Sequence, residues 1–186
     1  MRKVKSRDPL EPEKIDEMIR RAKRLRDKAF IAFLYMTGAR ISEVVRLITK
    51  RDFKVEDGYL VVKVKTEKNR KQAFRFVPLP LKSRYTMLVR RYLNSVENYD
   101  VPLWSFSRQY ALKLLKKLGG KDVFPHLFRH TRLTHLVEYG DMNEFELTSI
   151  AGWSDPRPAK DYVHLRWKPY APKVDRAERA VSEEGV

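Results

Sequence analysis

Cysteine is absent from the 186 residues, which excludes a disulfide scaffold and a zinc-thiolate module. Amides are scarce as well: Gln72, Gln109, Asn69, Asn94, Asn98 and Asn143 are the full set, while Lys, Arg and Glu abound. Such avoidance of thermolabile side chains leads to the expectation of a thermophilic source. Long apolar runs are missing too. The longest, Ala29 to Met36, falls far short of the roughly 18 residues that suggest a membrane span. The basic start MRKVKSRDPLEPEK is not followed by the apolar core of a signal peptide, so no membrane association and a cytoplasmic location are expected. Acidic charge is in deficit, with 24 Asp and Glu against 40 Lys and Arg, leaving a net charge of +16. A surplus of that size opposes compaction and points to an anionic polymer as partner, most simply nucleic acid.

What is present fits one globular domain that is mainly helical. Ile15, Met18 and Ile19 recur at helical spacing, and a second helix reads from Asp27 to Met36 before Gly38 interrupts it. Residues 41, 44, 45 and 48 fit one face of a helix over Ile41–Leu47. Tyr59–Lys65 and Ala73–Leu79 are β-branched and aromatic, joined by a polar stretch, and read as a hairpin with a basic tip. Helices return over 82–95, over 107–118 before Gly119-Gly120, and over 125–139, where Pro125 suits a first-turn position. Short helices follow over 142–151 and 158–165, and the polar residues from Val174 onward read as a mobile tail. The expected class is therefore mainly α (α+β), with one small antiparallel hairpin or sheet.

The segment Pro125-His126-Leu127-Phe128-Arg129-His130 carries the first chemical signal. His126 and Arg129, three residues apart, project from neighbouring positions in the first turn of a helix. Free N–H groups, the helix dipole and a forked guanidinium there favour the same anion, so the turn is suited to phosphate. Arg40 begins another helix three residues before Glu43, whose carboxylate is placed to orient the guanidinium.

These two segments resemble the conserved boxes of the tyrosine recombinase (phage-integrase) family. Thr37-Gly38-Ala39-Arg40-Ile41-Ser42-Glu43 is similar to the first-arginine box, and His126-Leu127-Phe128-Arg129-His130-Thr131 to the His-x-x-Arg-His-Thr box. Ile150-Ala151-Gly152-Trp153-Ser154 matches the turn that follows, and Tyr162 stands at the family's nucleophile spacing after Trp153. The resemblance implies a catalytic domain over 1–173 and a polar tail over 174–186. It also implies a chain without the N-terminal DNA-binding domain that most relatives carry.

As the resemblance implies, the protein is a site-specific DNA recombinase that cuts and rejoins strands through a 3′-phosphotyrosine, without metal, ATP or other cofactor. Arg40 and Arg129 would clamp the phosphate, Tyr162 would attack it, and Trp153 would contact it in place of the family's more frequent histidine. His126 would accept the tyrosine's proton or donate a hydrogen bond to phosphate; the residues alone leave both open. The family's hairpin lysine, which protonates the 5′-oxygen, falls best on Lys65, with Lys68 or Lys71 as alternatives. Lys68, Arg70, Lys71, His130 and Arg132 are expected to contact DNA. Double-stranded DNA is the expected partner, with self-association into a tetrameric synapse. A type IB topoisomerase-like activity and a catalytically silent DNA-binding module are the competing readings.

Overall fold

The computed structural model describes residues 8–66, 73–163, 172, 174–176 and 178–179. Among them are seven α-helices, α1 (Pro12–Arg21), α2 (Leu25–Thr37), α3 (Ile41–Val44), α4 (Arg84–Asn94), α5 (Arg108–Gly119), α6 (Pro125–Glu138) and α7 (Glu144–Ala151). Three strands, β1 (Phe53–Glu56), β2 (Tyr59–Thr66) and β3 (Ala73–Pro80), form one antiparallel sheet in the order β1-β2-β3. The class is as the sequence leads one to expect, and no helix among the described residues is long and apolar enough to cross a membrane.

The apolar run seen in the sequence is the central helix. Every residue from Ala29 to Thr37 of α2 is buried, as a helix apolar on all sides must be, and α1, α4 and α6 pack around it. Trp104 fills the space beside Phe30 and Phe33, with ring centroids 5.8 and 4.7 Å away. Tyr35 Oη of α2 meets His135 Nδ1 of α6 at 3.0 Å, so the polar pair inside the core is satisfied. The helices begin where the sequence supplies caps: Ser83 accepts the Tyr85 N–H, Ser107 that of Tyr110, and Asn143 those of Phe145 and Glu146.

Three expectations are corrected. The helix expected to reach Leu47 ends at Val44, because Arg46 turns to positive φ and donates its N–H to the Trp104 carbonyl at 2.9 Å, and the Leu103 N–H returns to the Ile48 carbonyl at 2.9 Å. Val44, Val45 and Ile48 are buried all the same, so the apolar spacing marked burial without marking helix. The hairpin gains a third strand, since β1 pairs with β2 through Phe53↔Val62 to Glu56↔Tyr59; β1 is largely exposed, and its Phe-Lys-Val-Glu alternation is too short to mark a strand. Of the short helix expected over 158–165, the described part contains a 3₁₀ turn, Arg157–Asp161, and 164–165 lie outside the described residues. In the polar tail, 174–176 and residues 178 and 179 have helical backbone, and Arg179 Nη2 donates to Asp175 Oδ2 at 2.8 Å.

The sheet docks on the helices by close backbone approach at Gly152, the residue that ends α7 in the left-handed conformation at φ 66°. A Cβ at this position would lie 2.8 Å from Thr66 Cγ2 and 2.9 Å from Arg75 Nη1. Gly58, at φ +81°, has open space around the same point and serves as the control. Gly58→Ala is expected to lose about 1–2 kcal/mol from backbone conformation alone. Gly152→Ala is expected to lose about 1–3 kcal/mol more from overpacking, read by urea unfolding. Equal losses would mean that α7 does not depend on this close approach.

Candidate active site

Gly38 ends α2 at φ 55°, donating its N–H to the Leu34 carbonyl at 3.0 Å, and the chain turns to present Arg40 at the start of α3. Glu43 fixes that arginine twice. Its Oε2 accepts the Arg40 backbone N–H at 2.8 Å and its Oε1 accepts Arg40 Nη1 at 2.9 Å. Glu43 is fully buried, and burial alone would raise its pKa. The hydrogen bond and charge of Arg75, followed by those of Arg40, outweigh that effect and hold the carboxyl below its ordinary range, so it is ionised at neutral pH.

Arg129 lies in the second turn of α6 and is 2% exposed. Its Nη1 donates to the Gly38 carbonyl and its Nη2 to the Ala151 carbonyl, each at 2.9 Å. One guanidinium thus joins the C-terminal ends of α2 and α7, where carbonyls carry the negative end of each helix dipole. Burial lowers its pKa to about 10, with Arg40 adding to the effect and Glu43 opposing it. Among the described residues no carboxylate forms an ion pair with it, and Glu43 offsets its charge only through the longer-range field.

The other expected residues surround this charge. His126 is exposed at the mouth; partial desolvation, then Arg129, Arg40 and His130, lower its pKa and keep it neutral. The Trp153 ring lies 5.5 Å from Arg129 Cζ and 5.9 Å from the Tyr162 ring. Tyr162 follows the 3₁₀ turn, half-buried, with the His130 ring 5.3 Å away. Desolvation raises the Tyr162 pKa, while Arg129 works in the opposite direction. A cleft of about 320 Å³ opens among Arg40, Thr66, Gly152, Trp153, Ser154, Asp155 and Pro158. The arrangement brings Arg40, Glu43, His126, Arg129, Trp153 and Tyr162 together from four separate helix ends and a turn.

Some expected residues stand elsewhere. Lys65 is exposed and pairs with Phe74, whereas the side chains that face the helices are Val64, Thr66, Arg75 and Val77. Strand alternation therefore puts Lys65 on the face of the sheet that carries Lys63 and Phe74. Arg132, expected to meet DNA, is half-buried with its guanidinium 5.5 Å from the Tyr35 ring centroid, and burial lowers its pKa. Its stem packs at the Gly38 turn. His130, also expected to meet DNA, stacks beside Tyr162. Lys68, Arg70 and Lys71 lie outside the described residues.

The sequence reading passed over Arg75. It is 5% exposed and donates Nη2 to Glu43 Oε2 at 2.7 Å, on the side of the carboxylate opposite the Arg40 fork. A signal was available: Arg75 shares the inward phase of β3 with Val77 and Leu79, and an arginine in an apolar phase needs a buried partner.

The chain matches the model of the phage integrase family over residues 9–168. Tyrosine recombinase XerA of Saccharolobus solfataricus is 28% identical over 167 residues, covering 88% of this chain and 53% of the relative. Tyrosine recombinase XerD of Chlorobaculum tepidum is 32% identical over 157 residues, 76% of this chain and 49% of the relative. The chain spans about half the length of these curated relatives. Among solved structures, XerH site-specific recombinase bound to difH substrate, in a pre-cleavage complex, superposes with a TM-score of 0.67 at 18% identity, over 91% of this chain and 53% of that one. XerA recombinase gives 0.65 at 20% identity, over 92% and 65%. Identities this low carry the fold alone. The family model, which spans nearly the whole catalytic segment and includes the boxes around Arg40, His126 and Tyr162, carries the rest: this chain belongs to the phage integrase family of tyrosine recombinases.

Proposed function

We propose that this chain is the catalytic domain of a site-specific DNA recombinase that cleaves and rejoins duplex DNA through Tyr162. The observation that carries the reading is the Arg129 guanidinium, free of any ion pair among the described residues, beside Trp153 and Tyr162, with Arg40 in the cleft that Trp153 lines. A phosphodiester repels nucleophiles, and donors aimed at its non-bridging oxygens stabilise the charge that builds in the pentavalent transition state. Tyr162 Oη attacks phosphorus, the bond to the 5′-oxygen breaks, and a 3′-phosphotyrosine and a free 5′-hydroxyl result. Attack by the 5′-hydroxyl of another strand reverses the step, and the phosphoester count stays constant, so no ATP is consumed.

The direction of the pKa shifts supports one division of labour. Tyr162 enters as a neutral phenol, because its pKa is raised above 10, and His126 is neutral because its pKa is lowered below 6.5. Neutral His126 accepts the phenol proton. The proton for the leaving 5′-oxygen is assigned to Lys65, with Lys68 as the alternative. Double-stranded DNA is the proposed partner, attracted by the net charge of +16. Self-association into a tetrameric synapse and a cytoplasmic location complete the reading.

A nicked duplex that traps the cleaved state, resolved on a denaturing gel, tests the proposal. A covalent protein–DNA band that disappears in Tyr162→Phe while duplex affinity is kept is the expected result. Retention of DNA binding with no band in the unaltered chain would favour the silent module, and relaxation of supercoiled DNA without strand exchange would favour the topoisomerase-like activity. The rate of band formation should fall on acidification with a midpoint below 6.5, since protonated His126 cannot accept the proton, and this acid limb should vanish in His126→Gln. A rate that rises on acidification would assign His126 the donor role instead. In Lys65→Ala, a 5′-thiol leaving group, which departs without protonation, should restore cleavage; rescue of Lys68→Ala instead would move the role to Lys68.

A further inference from the structure

We infer that Arg75 is a positioning residue for the cleavage step, acting through Glu43 on the charge and orientation of Arg40. This inference rests on the recombinase reading. Glu43 is fully buried and lies between two guanidinium groups, 2.9 Å from Arg40 Nη1 and 2.7 Å from Arg75 Nη2. A carboxylate paired with Arg40 alone forms a neutral pair, which presents little field to a phosphate. With Arg75 on its other side, the triad carries a net charge of +1, and Arg40, the most exposed of the three, keeps its charge available to the cleft. The same contact from the far side stops Glu43 from swinging, so the Arg40 fork is held at one angle.

Packing does not account for an arginine at this position. Arg75 Nε and Nη1 are buried with no hydrogen-bond partner, and only Nη2 is satisfied, on Glu43. A methionine would fill the volume between Val77 and the Gly152 turn without leaving two donors desolvated. The guanidinium is kept in a place where it costs stability, and its one ionic contact is to the residue that holds Arg40. Arg75 also spans the junction between the sheet and α3, so the triad ties the hairpin to the first arginine.

Single-turnover formation of the phosphotyrosine band on the nicked duplex tests this, with the unaltered chain, Arg75→Met and Arg75→Lys compared on two substrates. One carries the natural phosphodiester and the other a methylphosphonate at the scissile position, whose neutral phosphorus lacks the charge that Arg40 offsets. Arg75→Met is expected to slow the phosphodiester by about 100-fold. Duplex affinity and the methylphosphonate rate should each change by less than about threefold, because affinity is spread over many contacts and the lost interaction offsets the extra non-bridging charge that only the phosphodiester carries into the transition state. Arg75→Lys, which keeps a cation near Glu43, should recover part of the rate. Equal slowing on both substrates would mean a structural role only, and no slowing on the phosphodiester would overturn the inference.

Absence of any band in the unaltered chain would count against the recombinase reading itself. The triad is then judged without DNA, by urea unfolding of Arg40→Met, Arg75→Met and the double variant. Non-additive shifts in the unfolding midpoint are expected because both arginines act on one carboxylate, and additive shifts would overturn the coupling.

Discussion

A single buried guanidinium organises the site. Arg129 reaches from α6 to the Gly38 carbonyl at the end of α2 and to the Ala151 carbonyl at the end of α7, so the turns that present Arg40 and Trp153 are held at fixed separation from α6. Both helices end in left-handed glycines, which expose those carbonyls to a donor. Partners of this kind matter for chemistry as well as for architecture. Carbonyl oxygens satisfy the fork's hydrogen bonds without cancelling its charge, whereas a carboxylate would have done both.

The electrostatics of the cleft follow from that choice. Glu43 is the buried carboxylate among Arg40, Arg75 and Arg129, and it orients two of them while leaving the third without a counter-charge. Such a surplus is costly in a protein interior, and burial depresses the Arg129 pKa to about 10 as the physical expression of that cost. A phosphate in the cleft would offset it. Desolvation, reinforced by the same surplus, keeps His126 neutral, and Arg129 partly opposes the desolvation of Tyr162, so one charge distribution acts on the base and the nucleophile together.

Much of this was legible in the chain. The run Ala29–Met36 read as part of a helix, and Gly38 and the Gly119-Gly120 pair marked helix ends by their conformational freedom. The boxes around Arg40, His126 and Tyr162 pointed to a shared site because phosphoryl chemistry needs those residue types together. Less legible was whatever depended on a neighbour distant in sequence. The pairing of Arg46 and Ile48 with Leu103 and Trp104 cut α3 short, and β1 exists only because β2 is there to accept it.

The sequence by itself determined the helical class, the positive field and the set of candidate residues for phosphate chemistry, because periodicity, capping and net charge are local or additive properties. Tertiary structure alone decided which cations enter the cleft. Lys65 and Thr66 differ by one position, yet the pleat sends them to opposite faces; Arg132 and Arg129 share a helix, yet one stacks on Tyr35 and the other bridges two helix ends. Arg75, silent as a motif, meets Glu43 because the inward face of the sheet packs against α3 through β2. Each of these outcomes is set by the packing of one element on another, and sequence spacing within a single element carries no record of it.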